Sequence, residues 1–192
     1  EWGALQFRAP DITFEGTTQI HLDDLTVDLF DLGYVAHTDG DVLAWVPDRG
    51  VLFTGDLIFH GGTPFALFGS VQGTLDALGV IGNTGAEVVV PGHGPAFSGA
   101  QIREVLTSQR AYLEFVQETA AEGIRCGRTP VEQALVTQLG EFESLTDSER
   151  LAGNLHVAYR ENSEAAYEWV GFDGAIADMI VFNGGKLPHC VA

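Results

Sequence analysis

"VVVPGHGPAF", Val88 to Phe97, decides how this chain is read. Three valines in a row have the look of a buried strand. The run breaks at Pro91, and a histidine follows with a glycine on each side. Glycine lets a backbone turn sharply and approach its neighbours closely. His93 therefore stands just past the carboxyl end of a strand. In sheets with parallel strands, that is where loops converge and functional groups gather.

Two more polar residues hold the same kind of position. His37, in "GYVAHTDGD", follows a strand ending near Leu32, and Asp56 closes "VLFTGD". The strand reading comes from alternation in "TTQIHL" (17–22) and "TVDLFDLG" (26–33), with Asp23 and Asp24 as a hairpin turn. "DVLAWVP" (41–47) and "VLFTGD" (51–56) follow, joined by Pro47, Asp48, Arg49 and Gly50. That tetrad is turn chemistry, since proline presets φ and glycine accepts positive φ. Val71, Leu75, Leu78 and Ile81 then mark one face of a short helix before "AEVVVP". Strand, helix, strand in this order predicts a βαβ unit with local parallel pairing.

Beyond Ser98 the pattern turns helical. Ile102, Val105, Leu106, Tyr112, Leu113 and Val116 recur at helical spacing behind a capping-box pattern at Ser98–Gln101. Thr129 and Pro130 supply an N-cap and a proline at the first helical position of "VEQALVTQL". Thr146 to Glu149 reads as a second capping box, before "RLAGNLHVAYREN", and "GAIADMIVFNGG" ends in a turn or C-cap.

Two imidazoles and a carboxylate at strand ends are ligands suited to first-row metals. Imidazole gives a neutral nitrogen donor, and a carboxylate adds charge and two oxygens that can bridge a pair of ions. Thr38 and Thr54 are expected to orient these ligands through hydrogen bonds.

"AHTDGD", "VLFTGDLIF" and "VVVPGHGP", in this order and spacing, resemble the last three motifs of the metallo-β-lactamase superfamily. The resemblance covers roughly 17–97, about half the chain. It implies an α/β (α+β) chain holding the C-terminal half of an αββα sandwich, with metals at one edge. Residues 1–98 would form that half core and 99–192 a helical extension packed on it. It implies that His37 binds a first metal, Asp56 bridges both and His93 binds a second. The implied cofactor is zinc, two ions in a complete site, with iron or manganese as alternatives. The implied reaction is hydrolysis of an ester, thioester or related carbonyl compound, with Asp56 and His60 as the catalytic residues. "FHGGTPFALFGSV" and the helical tail are similar to actinobacterial members, among them aromatic-polyketide cyclases and thioesterases of the actinorhodin-bicyclase type. Phe59, Phe65 and Phe68 would then wall a pocket for a flat ring, with His60 as proton donor or acceptor, although the three rings also suit a core beneath a loop.

One departure is large. The family carries an H-x-H-x-D-H motif upstream, and this chain has none; His21 is isolated on an alternating strand. Three ligands shared between two sites leave each metal short of the four that zinc prefers. The chain begins at Glu1, which fits a fragment, a processed product or one piece of a larger protein. The expected partner is the N-terminal half of the same fold, as a separate chain or a cleaved segment. Without it, the apolar faces of Val51, Phe53, Val88 and Val90 need another cover, and a homo-oligomer is one. A metal-free scaffold or interaction half-domain is the non-enzymatic alternative.

Composition narrows the partners. The chain has 192 residues, 45% hydrophobic and 19% charged, which is the composition of a folded globular chain. A net charge of -18 repels phosphate backbones and anionic membranes, so nucleic acid and membrane are not expected partners and a small-molecule substrate is. Two cysteines, Cys126 and Cys190, make no disulfide framework and fit a reducing cytoplasm. His156 reads as a partly buried surface histidine and Cys126 as an inert or surface thiol. His189 and Cys190, adjacent in a tail, are not expected to chelate together.

Overall fold

The computed structural model describes residues 6, 8–163 and 167–188. Six strands form one sheet in the order of the chain: β1 (Thr17–Leu22), β2 (Leu25–Asp31), β3 (Val42–Val46), β4 (Val51–Phe59), β5 (Val88–His93) and β6 (Phe97–Ser98). All pairings are antiparallel except β4 with β5. That parallel pair is joined by α1 (Val71–Asn83), as the strand–helix–strand pattern requires. The 17–22 strand, the Asp23 hairpin and the Pro47–Gly50 turn all form where the sequence puts them. Gly50 takes the left-handed conformation at φ +61°.

Direction along the sheet brings three strand ends together. β2 and β3 are antiparallel, and so are β3 and β4. Two reversals restore the direction, so β2, β4 and β5 all run the same way. Their carboxyl ends share one edge of the sheet, and that edge carries His37, Asp56 and His93.

The helices lie on one face. Alternation within the strands buries Leu43, Leu52, Thr54 and Val89 on that side. Val71, Leu75, Leu78 and Ile81 of α1 meet them, all four buried as their spacing predicts. α2 (Ala100–Arg125) adds Tyr112, Leu113, Val116 and Ala120. α3 (Pro130–Val136), α4 (Arg150–Asn162) and α5 (Gly171–Phe182) complete the layer. α4 is its centre, touching α1, α2, α3 and α5, and every residue from Arg150 to Tyr159 is buried. Each buried leucine or valine there stabilises the fold by about 1.5–3 kcal/mol.

The opposite face of the sheet is open. Leu25, Val27, Ala44, Val51 and Phe53 line a shallow apolar depression on it, and Phe53 is 44% exposed. Among the described residues no helix is long and apolar enough to cross a membrane.

Several local expectations are corrected. β5 runs through Pro91 to His93, because β5 pairs with β4 up to Phe59 opposite His93. Ser98 belongs to β6, a strand the sequence did not announce, so it caps nothing; α2 starts from Gly99 without a side-chain cap. α4 starts from Glu149, also without one. Among the described residues, only Thr129 and Glu132 of α3 form a reciprocal capping box. His156 is fully buried, where a partly exposed surface position was expected. Its Nε2 donates to Asp178 Oδ2 at 2.8 Å and its Nδ1 accepts from the Tyr167 hydroxyl. Cys126 is an exposed free thiol, and His189 and Cys190 lie outside the described residues.

Candidate functional site

The three residues picked from the motifs converge. His37 Nε2 lies 3.5 Å and His93 Nε2 3.6 Å from the same atom, Oδ2 of Asp56. The Asp56 side chain is 43% exposed, the two histidines less. They line a cavity of about 260 Å³ with Phe59, Phe65, Phe68, Glu149, Arg150, Ile176, Met179 and Pro188.

Glycines make this approach feasible. A Cβ on Gly92 would sit 2.0 Å from Asp56 Oδ1, and one on Gly69 would sit 2.0 Å from the Ala36 carbonyl oxygen. Any side chain at Gly92 would push β5 off Asp56. Any side chain at Gly69 would push the following loop off the backbone before His37.

The orientation of His37 is fixed from outside the motifs. Its Nδ1 is 2.6 Å from the Phe65 carbonyl oxygen. A carbonyl only accepts, so Nδ1 carries the proton and donates it there. That bond turns the ring so that its Nε2 faces the Asp56 carboxylate. Two imidazole nitrogens thus come within 3.6 Å of one carboxylate oxygen. The donor chemistry therefore fits a metal ion. The set is incomplete, however: among the described residues no three His, Cys, Asp or Glu side chains close into one metal-holding group. His37 and His93, one before and one after it in sequence, each approach the same oxygen of Asp56.

Thr38 and Thr54 do not orient the ligands. Thr38 bonds Asp41 through both its backbone N–H and its hydroxyl, closing the turn after His37. Thr54 Oγ1 bonds the carbonyls of Gly55 and Val90. His60 is held elsewhere: its Nδ1 donates to the Pro95 carbonyl and its ring meets Phe97 edge-on, and it is not among the cavity's lining residues. Of the three phenylalanines, Phe59 is buried and Phe68 is 58% exposed, and all three line the cavity.

The supports that sequence reading missed come from α2 and α4. Gln109 on α2 accepts from Phe59 N–H and donates to the Leu57 carbonyl, completing β4 where its register with β5 shifts. Phe59 so fixed stacks face to face on His93, with centroids 4.6 Å apart. Along α4, Arg150 donates to the Thr63 carbonyl, and Asn154 takes both the Pro64 carbonyl and Ala66 N–H. Arg160 donates to the Gly69 carbonyl, and Glu161 accepts from Val71 and Gln72 N–H at the start of α1. One helix thus pins the loop whose Phe65 carbonyl orients His37. The available signal was weak: Arg150 and Asn154 stand one turn apart among Leu151, Ala152, Gly153 and Leu155.

Residues 7–93 match the family model described as the metallo-beta-lactamase superfamily. The overall fold matches solved structures, among them a metallo-beta-lactamase family protein. The fold is that of the metallo-β-lactamase superfamily. A stereoselective inverting sec-alkylsulfatase from Pseudomonas sp. is 20% identical with a TM-score of 0.61, over 85% of this chain and 27% of that one. A metallo-beta-lactamase family protein from Thermus thermophilus is 19% identical with a TM-score of 0.58, over 80% of this chain and 48% of that one. A metallo-beta-lactamase from Pontibacter korlensis is 21% identical with a TM-score of 0.49, over 56% of this chain and 50% of that one. The chain therefore spans half or less of the length of these metallo-β-lactamase-fold proteins. No curated protein matches it. The α/β architecture expected from the motifs is the one observed.

Proposed function

We propose that this chain is the part of a metal-dependent hydrolase that carries His37, Asp56 and His93, acting on an ester, thioester or related carbonyl substrate. One observation carries the reading: two imidazole Nε2 atoms face a single oxygen of Asp56, and the Phe65 carbonyl fixes the orientation of one of the rings. His37 and Asp56 would hold one metal, Asp56 and His93 the other, with zinc the expected ion and iron or manganese the alternatives. When bound, such ions polarise the substrate's oxygen and supply a nucleophilic water near neutral pH.

The chain's own residues do the rest. Asp56 shares its charge between the two histidine positions and places the nucleophile. His60, held by the Pro95 carbonyl and outside the cavity's lining, takes no part in proton transfer there. Phe59, Phe65 and Phe68 with Ile176 and Met179 exclude water around an apolar substrate. This aromatic wall is also what supports the narrower reading as an aromatic-polyketide cyclase or thioesterase. The ester class takes in sulfate esters such as those of the sec-alkylsulfatase whose fold it shares.

The missing ligands are assigned to a partner. A segment carrying H-x-H-x-D-H on a second half sheet would cover Leu25, Val27, Val51 and Phe53 and complete both metal positions, with 1–98 as its counterpart and 99–192 as the helical extension. The non-enzymatic reading, a metal-free half-domain, is favoured by the lack of a closed three-donor group among the described residues. Metal analysis of the assembled halves separates the two. Close to two ions per site are expected, falling to one or none in Asp56→Asn, with hydrolysis reduced at least about 100-fold. Full activity in a metal-free Asp56→Asn assembly would end the hydrolase reading in this form.

A further inference from the structure

Glu149 is a carboxylate that the metal site does not use. It stands at the N-terminal cap of α4 and is only 6% exposed. At that position a side-chain oxygen ordinarily accepts from the helix's first N–H groups. Glu149 makes no such bond; the N–H groups of Arg150, Leu151 and Ala152 go to backbone carbonyls of Asp147, Ser148 and Glu149. Among the described residues its carboxylate has no hydrogen-bond or ion-pair partner. The neighbouring guanidinium is engaged elsewhere. Arg150 pairs with Asp147 at 2.8 Å, donates to Thr63 and lies over the rings of Phe59 and Phe65.

A buried carboxylate without a donor is costly. Every described side-chain nitrogen or oxygen that is fully cut off from solvent has a partner, so the Glu149 oxygens are not cut off. Glu149 lines the cavity together with His37, Asp56 and His93. The cavity's other walls are Phe59, Phe65, Phe68, Ile176, Met179 and Pro188, with Arg150, whose guanidinium is held by Asp147 and Thr63. Glu149 is not part of a closed metal-ligand group with them. What remains is an acceptor that lacks a donor, set in a largely apolar wall beside His37, Asp56 and His93.

We propose that Glu149 is the substrate-recognition residue of this cavity, accepting from an ammonium group on a substrate whose apolar body lies against Phe65, Phe68, Ile176 and Met179. The inference takes the cavity of the proposed hydrolase as its starting point and adds the substrate class: amine-bearing apolar esters, preferred over anionic ones. An ammonium gives the carboxylate a charge-assisted bond, the stronger kind. A carboxylate or sulfate in the same place meets repulsion. The net charge of -18 acts in the same direction, concentrating cations near the surface.

The test is equilibrium binding to the 192-residue chain, which needs neither metal nor hydrolysis. The probes are 2-phenylethylamine, 2-phenylethanol and 3-phenylpropionate, titrated calorimetrically at one ionic strength. The expected result is that the amine binds at least about tenfold more tightly than the carboxylate. Glu149→Gln, close to isosteric, is expected to remove about tenfold from the amine and leave the alcohol within about twofold. Equal affinity for amine and carboxylate in the unaltered chain overturns the proposal, as does failure of the amine to bind or a Glu149→Gln chain that keeps the preference. If the preference holds while the assembled halves hydrolyse nothing, the hydrolase reading fails and this one stands. If the assembly hydrolyses esters with no preference for amines, the reverse is true.

Discussion

Asn154 shows what one residue does for this site without touching it. Its amide joins Ala66 N–H, the Pro64 carbonyl and the Tyr112 hydroxyl, and it is fully buried. Asn154→Ala leaves those groups in the interior without their partner, and each buried group left unmet costs about 1–3 kcal/mol. The expected outcome is a loss of about 2–4 kcal/mol of stability in urea unfolding, with weaker metal binding because the Phe65 carbonyl no longer holds His37. A change below about 0.5 kcal/mol would mean the loop is held by something else. The sequence displays His37, Asp56 and His93 because each stands in or just beyond the C-terminal part of a strand, Asp56 and His93 beside glycines, a local pattern. It hides Asn154, Gln109 and Glu149 because their partners or cavity lie far along the chain, and no local pattern records a bond of 88 residues' separation such as that of Asn154 with Ala66. His37's own orienting group is a backbone carbonyl, to which residue identity gives no clue at all.

At the scale of elements, strand positions were legible and helix starts were not. Strands follow alternation and turn residues. Two of the expected caps failed because a neighbour used the residue first: Ser98 pairs in β6, and the Thr146 backbone bonds Gly61 and Thr63. Thr129, on an exposed turn with no competing partner, capped as its chemistry predicts. The contact of α4 with α5 makes a pH-dependent prediction. His156 sits on α4 and Asp178 on α5. Burial pushes the His156 pKa below its ordinary value, with the Asp178 hydrogen bond and charge opposing. The ring is therefore neutral in the fold: Nε2–H donates to Asp178, and Nδ1 accepts from Tyr167, whose own pKa burial pushes up to about 12. The unfolded chain binds a proton at His156 more readily than the folded one does. Its contribution to stability is thus full above the unfolded value, about 6.5, and is lost as pH falls toward the lower folded value. Urea midpoints measured from about pH 7.5 down to about 5.5 are expected to fall, and the fall to be shallower in His156→Gln. An equal slope in both chains would remove His156 as the cause.

The whole molecule is asymmetric: helices close one face of the sheet, and the other is apolar and open. The sequence showed that those valines and phenylalanines would need a cover, because alternation puts Phe53 and Val51 opposite the face that α1 fills. It did not show how complete the helical layer on the other side would be. In the isolated chain two forces compete. Covering the exposed part of Phe53 alone is worth roughly 2 kcal/mol, and its neighbours Leu25, Val27 and Val51 add to it. Against this, a charge of -18 makes copies repel. Salt screens the repulsion and leaves the apolar term intact. Raising salt from about 0.05 M to about 0.5 M is therefore expected to shift the isolated chain toward dimers or larger species in sedimentation velocity. Phe53→Glu, on the open face, should keep it monomeric throughout without loss of helical circular dichroism. The complementary half sheet, added in slight excess, should suppress the salt-driven association of the unaltered chain, because both compete for one surface. A chain that stays monomeric at every salt concentration, and gains nothing from Phe53→Glu, would show that this face needs no partner.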